Sequence, residues 1–140
     1  MSTPPKTPVN RNKAVIAYLD GRRLKGYIYN FSAVNDSFRL FSQADPLQDR
    51  GTQVDLKDLK AVFFVKDFSG SPEYKETAVA GPPKSGRKLE VIFSDGETLV
   101  GTTDAYNPQK FGFFIFPTDP QSNNLRIFVV NKNVSRTKFL

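Results

Sequence analysis

The chain of 140 residues has no cysteine, no histidine and no tryptophan, and its one methionine is Met1. Without cysteine no disulfide framework can form, which agrees with a reducing compartment. Without histidine and cysteine the commonest acid–base and nucleophilic groups are missing, along with the nitrogen and sulfur ligands of zinc. Phosphate-cradling GxGxxG or GxxxxGK loops are absent, and no serine stands in a nucleophile-elbow motif. Asp45, Asp49, Asp55 and Asp58 are neighbours in sequence but do not follow calcium-loop spacing. An enzyme is therefore not expected, nor a metal or other cofactor. Long apolar runs are lacking too. The segment Met1 to Arg11 is rich in Pro and Thr and has no apolar centre, which fits neither a signal peptide nor a membrane span. A cytoplasmic protein without membrane contact is the expectation.

Charge is present but not concentrated. The formal net charge is +6, spread thinly over both halves of the chain. A dedicated nucleic-acid binder more often gathers Lys and Arg into a stripe that displaces counterions from phosphates. The basic balance is thus mild support for such a partner.

What is there is a repeat. Residues 13–65 and 88–140 run in register at an offset of 75, so that Lys13, Asp20, Gly21, Leu24, Gly26, Phe38, Phe41, Val54 and Lys57 fall on Lys88, Asp95, Gly96, Leu99, Gly101, Phe113, Phe116, Val129 and Lys132. The copies predict two domains, 13–68 and 88–140, with a flexible tail at 1–12 and a Gly/Pro-rich linker at 69–87. Each copy is near the lower size limit for an independent core. Thirteen Phe and five Tyr supply apolar area, and the copies are expected to pack on each other to use it.

Within each copy the first strand alternates. Ala14, Ile16 and Tyr18 align with Leu89, Val91 and Phe93 and should face the core, whereas Glu90 and Ser94 should face outward. Asp20-Gly21 and Asp95-Gly96 follow, as a two-residue hairpin would require. A second strand carries Gly26 or Gly101, a sign of bending or close backbone approach. A third strand spans 38–41 or 113–116, a fourth 52–56 or 127–130, and a short turn with Lys57 or Lys132 leads to a fifth strand at 60–65 or 135–140. No segment carries a helical period, so the expected class is all-β.

Strand, Asp-Gly, two residues, Leu, one residue, Gly, and an aromatic five positions on (Phe31 or Tyr106) resembles the first signature of Sm-like proteins. The short fourth strand, tight turn and fifth strand resemble the second. The resemblance implies two tandem five-stranded Sm-like antiparallel β-barrels packed on each other. Runs 54–74 and 100–117 also resemble uncharacterised bacterial proteins, some with domains near the PilZ class. Sm and Hfq proteins bind RNA through the loop after the second strand and the turn before the fifth. Here Ser32 and Asn107 stand at the loop's usual Asp, Asp36 and Phe111 at its usual Asn, and the turns read Leu56-Lys57-Asp58 and Asn131-Lys132-Asn133 instead of Arg-Gly or Lys-His.

Two sets of candidate residues follow. Lys57 and Lys132 are either solvated turn lysines or phosphate contacts. Arg22, Arg23 and Lys25, replaced by Glu97, Thr98 and Val100 in the second copy, are either an ordinary charged hairpin or a phosphate-binding cluster, with Tyr29 and Phe31 available for base stacking. The second set is apolar: Ala61, Phe63 and Val65 align with Arg136, Lys138 and Leu140, and with Val62 and Phe64 they make a strand apolar on both faces. Such a strand should be covered on both sides. In Sm rings the fourth and fifth strands make the subunit contacts, so edge pairing between copies or chains is expected there, with Phe111 and Phe114 a second candidate surface. The leading expectation is a non-catalytic tandem Sm-like binding or assembly module, with single-stranded RNA as candidate ligand and a protein partner or self-association through strand edges. The alternatives are a PilZ-like cyclic di-GMP receptor, whose motif is met only by Asn30-Phe31-Ser32-Ala33-Val34-Asn35 without the upstream Arg pair, and a structural scaffold in a signalling or motility complex.

Overall fold

The computed structural model describes residues 11–29, 31–32, 34–42, 51–68, 86–119 and 121–140. The expected tail and linker therefore lie almost wholly outside the described residues, as does the Asp45-Pro46 loop. Among the described residues ten strands are formed: β1 (Arg11–Tyr18), β2 (Arg23–Tyr29), β3 (Ser37–Leu40), β4 (Thr52–Asp55) and β5 (Leu59–Val65), then β6 (Arg87–Phe93), β7 (Thr98–Thr103), β8 (Gly112–Ile115), β9 (Asn124–Val130) and β10 (Val134–Phe139). One-turn 3₁₀ segments at Leu56–Asp58 and Asn131–Asn133 join β4 to β5 and β9 to β10. The fold is all-β and every ladder is antiparallel.

Both copies trace one path. In the first, β5 pairs with β1, β1 with β2, and β3 with β4, while a single bridge, Tyr27 to Phe41, links β2 to the end of β3. The second repeats this with β10, β6, β7, β8 and β9, and with the bridge Thr102 to Phe116. The sheets so formed have five strands (β2-β1-β5-β9-β8), three (β10-β6-β7) and two (β3-β4), and none closes into a barrel. The aligned glycines sit at the joins. A Cβ on Gly26 would lie 2.6 Å from the Phe41 carbonyl oxygen, and one on Gly101 would lie 2.5 Å from that of Phe116. Only glycine lets the third strand approach so closely there.

The first hairpin of each copy differs from the expected two-residue turn. Tyr18 and Arg22 are bonded across the loop, as are Phe93 and Glu97, so three residues, Leu19–Gly21 and 94–96, make the connection. Only its last residue needs positive φ, and Gly21 (94°) and Gly96 (88°) supply it. The preceding Asp instead accepts a hydrogen bond from the backbone N–H two residues on, that of Arg22 or Glu97.

The joint between the copies is the β5–β9 ladder, running from Ala61 opposite Val129 to Val65 opposite Asn124. Side chains alternate across a strand, so each strand of this pair serves two cores. Val62 and Phe64 of β5 with Phe128 and Val130 of β9 enter the first core, beside Ile16, Ile28 and Leu56. Ala61 of β5 with Ile127 and Val129 of β9 enters the second, beside Leu89, Val91 and Phe113, with Phe63 packed against it. The apolar run of β5 is thereby covered on both faces. At the open end of the ladder the Arg126 guanidinium lies 4.7 Å from the Phe64 ring centre and 4.3 Å from that of Phe114. Burial there works against its charge, though arginine stays protonated.

Because Phe128 belongs to the second copy and is fully buried in the first copy's core, Phe128→Ala should cost about 3–5 kcal/mol. The loss should appear as one cooperative thermal transition shifted down. Two separated transitions, with only one of them moved, would show that the cores are independent.

Candidate functional site

The pairing that fuses the cores also aligns the two turns. In an antiparallel ladder the start of β5 lies beside the end of β9, so the segments Leu56–Asp58 and Asn131–Asn133 become neighbours although 75 positions separate them. Asn133, buried, locks them together: its side-chain amide donates to the carbonyl of Lys57 at 3.2 Å and to that of Leu59. Asn131 holds the next layer. Its amide donates to the carbonyls of Asn107 (2.8 Å) and Lys110 (3.0 Å), and its backbone N–H donates to that of Phe111 (2.9 Å). The loop before β8 is thus fixed against the second turn.

Between these pieces lies a cleft of about 510 Å³. Its walls carry Lys57, Asp36 and Asp55 from the first copy and Lys110, Phe111 and Lys132 from the second. The three lysines are exposed, and none of their ammonium groups has an ion-pair partner among the described residues. Phe111 is 48% exposed. Ammonium groups around an exposed aromatic ring suit a ligand with phosphates and a flat base.

Lys60 secures one side of this arrangement. Its ammonium is almost fully buried, 2.9 Å from an Asp95 oxygen and 3.0 Å from one of Glu97, both on the β6–β7 hairpin. The Lys60 ammonium and the Glu97 backbone N–H hold the Asp95 carboxyl below its ordinary range. A lysine inside an apolar run was a visible sign that a carboxylate partner was needed, but the sequence did not say which. Lys110, Asn131 and Asn133 carried no comparable sign, since their roles depend on the two turns meeting.

Of the sequence candidates, Lys57, Lys132 and Phe111 come together in the cleft, while Ala61, Phe63, Val65 and Phe114 lie along the joint between copies. Arg22, Arg23 and Lys25 are not part of the cleft lining, and each has an internal contact. Arg22 pairs with Asp20 at 2.7 Å and lies over the Tyr18 ring. The Arg22 backbone N–H and then its guanidinium pull the Asp20 carboxyl down, and the Asp20 carboxylate in turn raises the guanidinium. Arg23 lies 5.7 Å from the centre of the Phe63 ring, and the Lys25 ammonium donates to the carbonyl of Phe68. The expected stacking residues are also turned to structure. Tyr29 packs edge-on against Phe41, and Phe31 meets Phe38, Phe64, Phe114 and Phe128 in the first core. Arg23 and Tyr29 stand at opposite ends of β2, roughly 20 Å apart by strand rise. Asn30 and Ala33, part of the PilZ-type motif, lie outside the described residues. Among the described residues no group of metal-ligating side chains is assembled, and no helix is long and apolar enough to cross a membrane.

A family model described as a family of unknown function (DUF6982) matches residues 10–140. The chain belongs to this family. The match takes in both copies together with the segment joining them. No curated protein and no solved structure matches the chain.

The Lys60 contact gives a test of the joint. Asp95→Asn with Glu97→Gln leaves a buried ammonium without a counter-charge and should lower stability by about 3 kcal/mol, whereas Lys60→Met should be nearly neutral. Because the folded Asp95 carboxyl lies below its unfolded value of about 4, its stabilisation is complete above that pH. It is lost as pH falls through the folded value. Denaturant titrations from pH 7 to 2 should therefore show a shallower acid loss in the double variant than in the wild type.

Proposed function

We propose that the chain is a non-catalytic pair of Sm-like modules that binds single-stranded RNA in the cleft between its two turns. The observation that carries this reading is the convergence of Lys57, Lys132 and Phe111 on one cleft. The first two stand at the turn, and the third in the loop, through which Sm and Hfq proteins contact RNA. The strand path, with β5 and β10 folded back onto β1 and β6, supports the Sm-like assignment, as does the union of the first copy's fifth strand with the second copy's fourth.

In this reading Lys57, Lys110 and Lys132 hold successive phosphates, and a base stacks on Phe111. Asp36 and Asp55 on the same wall disfavour a phosphate beside them and offer acceptors to base amino groups. Long duplexes suit such a site poorly, because a base reaches an aromatic face only when unstacked from its neighbours.

Short single-stranded RNA should therefore bind with an affinity that falls as salt rises. Lys57→Ala with Lys132→Ala should reduce the slope of log affinity against log salt by about 1.4, since each lost phosphate contact on a single strand removes about 0.7. Phe111→Ala should cost about 1–3 kcal/mol of binding. Fluorescence anisotropy titrations at several salt concentrations measure both. Absence of binding at low salt, or binding indifferent to all three substitutions, would remove the proposal.

A further inference from the structure

The β5–β9 ladder joins two copies of one motif head to tail, and such a contact leaves its two halves unused at the ends. Among the described residues β10 pairs only with β6, and β4 only with β3. Applying the 75-residue offset to the observed register places Arg136 opposite Val54, Thr137 opposite Gln53 and Lys138 opposite Thr52 of a second chain. Repetition of the internal contact would build an open or closed string of chains. The residues at the joint decide whether this happens.

We infer that the internal contact is made once per chain and that Asp58, Arg136 and Lys138 block its repetition between chains. Each stands where the aligned residue of the other copy makes the contact work. Ala61 is fully buried in the second core and Phe63 packs against it; at the repeated contact Arg136 and Lys138 would enter that position, facing Phe38, Leu40 and Val54 of the next chain. Two cations would leave water to face these three apolar side chains. Asn133 donates its amide protons to the carbonyls of Lys57 and Leu59; Asp58 would turn a carboxylate, which has no proton to give, towards the carbonyls of Lys132 and Val134. The ion pairs of Lys60 also have no counterpart, because Ser135 stands at its aligned position and Arg22 at that of Glu97. In the single chain these charges are harmless: Asp58, Arg136 and Lys138 are all exposed. Charged residues on a bare edge are a common device against strand-to-strand association.

The test gives the ends the residues of the joint. Sedimentation velocity of the wild type should show the mass of one chain at every concentration. The variant Asp58→Asn, Arg136→Ala, Lys138→Phe should show concentration-dependent growth to at least twice that mass. Adding Thr52→Arg, an exposed position that faces residue 138 in the repeated register, should return it to one chain. The milder pair Asp58→Asn with Lys138→Thr, which adds no exposed aromatic ring, should associate to a smaller extent. Circular dichroism establishes that each variant is folded. A wild type whose self-association is broken by Thr52→Arg would overturn the inference. So would folded variants that stay at one chain, or growth that survives Thr52→Arg.

Discussion

The structure depends on one ladder shared by two cores. A strand of a small sheet protein usually buries one face and gives the other to water. β5 and the stretch Ile127–Val130 of β9 have no wet face, because the residues that alternate along them are divided between the copies. Neither core is complete without the other copy's strand: the first takes in Phe128 and Val130, the second Ala61. Repeats too small to stabilise themselves are in this way made into one body, the solution that small repeated units generally adopt.

The same ladder explains why the candidate site has the composition it has. A cleft at the meeting of two turns receives side chains from both copies, so aligned residues that would be separate surface groups in isolated domains become neighbours. Lys57 and Lys132 are the clearest case. The lock that holds the turns, Asn133 across to the first turn's carbonyls, is itself unsymmetrical, since the aligned residue is Asp58. The pair is therefore polar in direction: one side of the motif is used at the joint, and its mate at the free end is charged.

Much of this was legible in the sequence because it rests on period and alignment. Alternation in the first strand identified Ala14, Ile16, Tyr18, Leu89, Val91 and Phe93 as core residues; all are buried except Tyr18, which is half-buried against the first core. Aligned glycines marked the places where the third strand approaches the second. The two-sided apolar run at 61–65 marked a strand needing cover on both faces. Other features were hidden for physical reasons. The hairpins close over three residues instead of two, because Asp-Gly suits both and only the hydrogen bonds of Tyr18 and Phe93 distinguish them. Arg22, Arg23 and Lys25 look like a free basic cluster in sequence, yet Asp20, Phe63 and Phe68 occupy them. Lys110 and Asn131 gain meaning only once the turns have met. Closed barrels, expected from the Sm-like resemblance, are not formed: single bridges join the second and third strands, and the sheets stay open.

The shared ladder is tested most directly by native-state hydrogen exchange. Amides of β5 and β9 should exchange only through global unfolding, with one common opening free energy that also limits the best-protected amides of β1 and β6. If β9 exchanged through a separate, lower-energy opening while β5 stayed protected, the two cores would not be one body, and the account would fail.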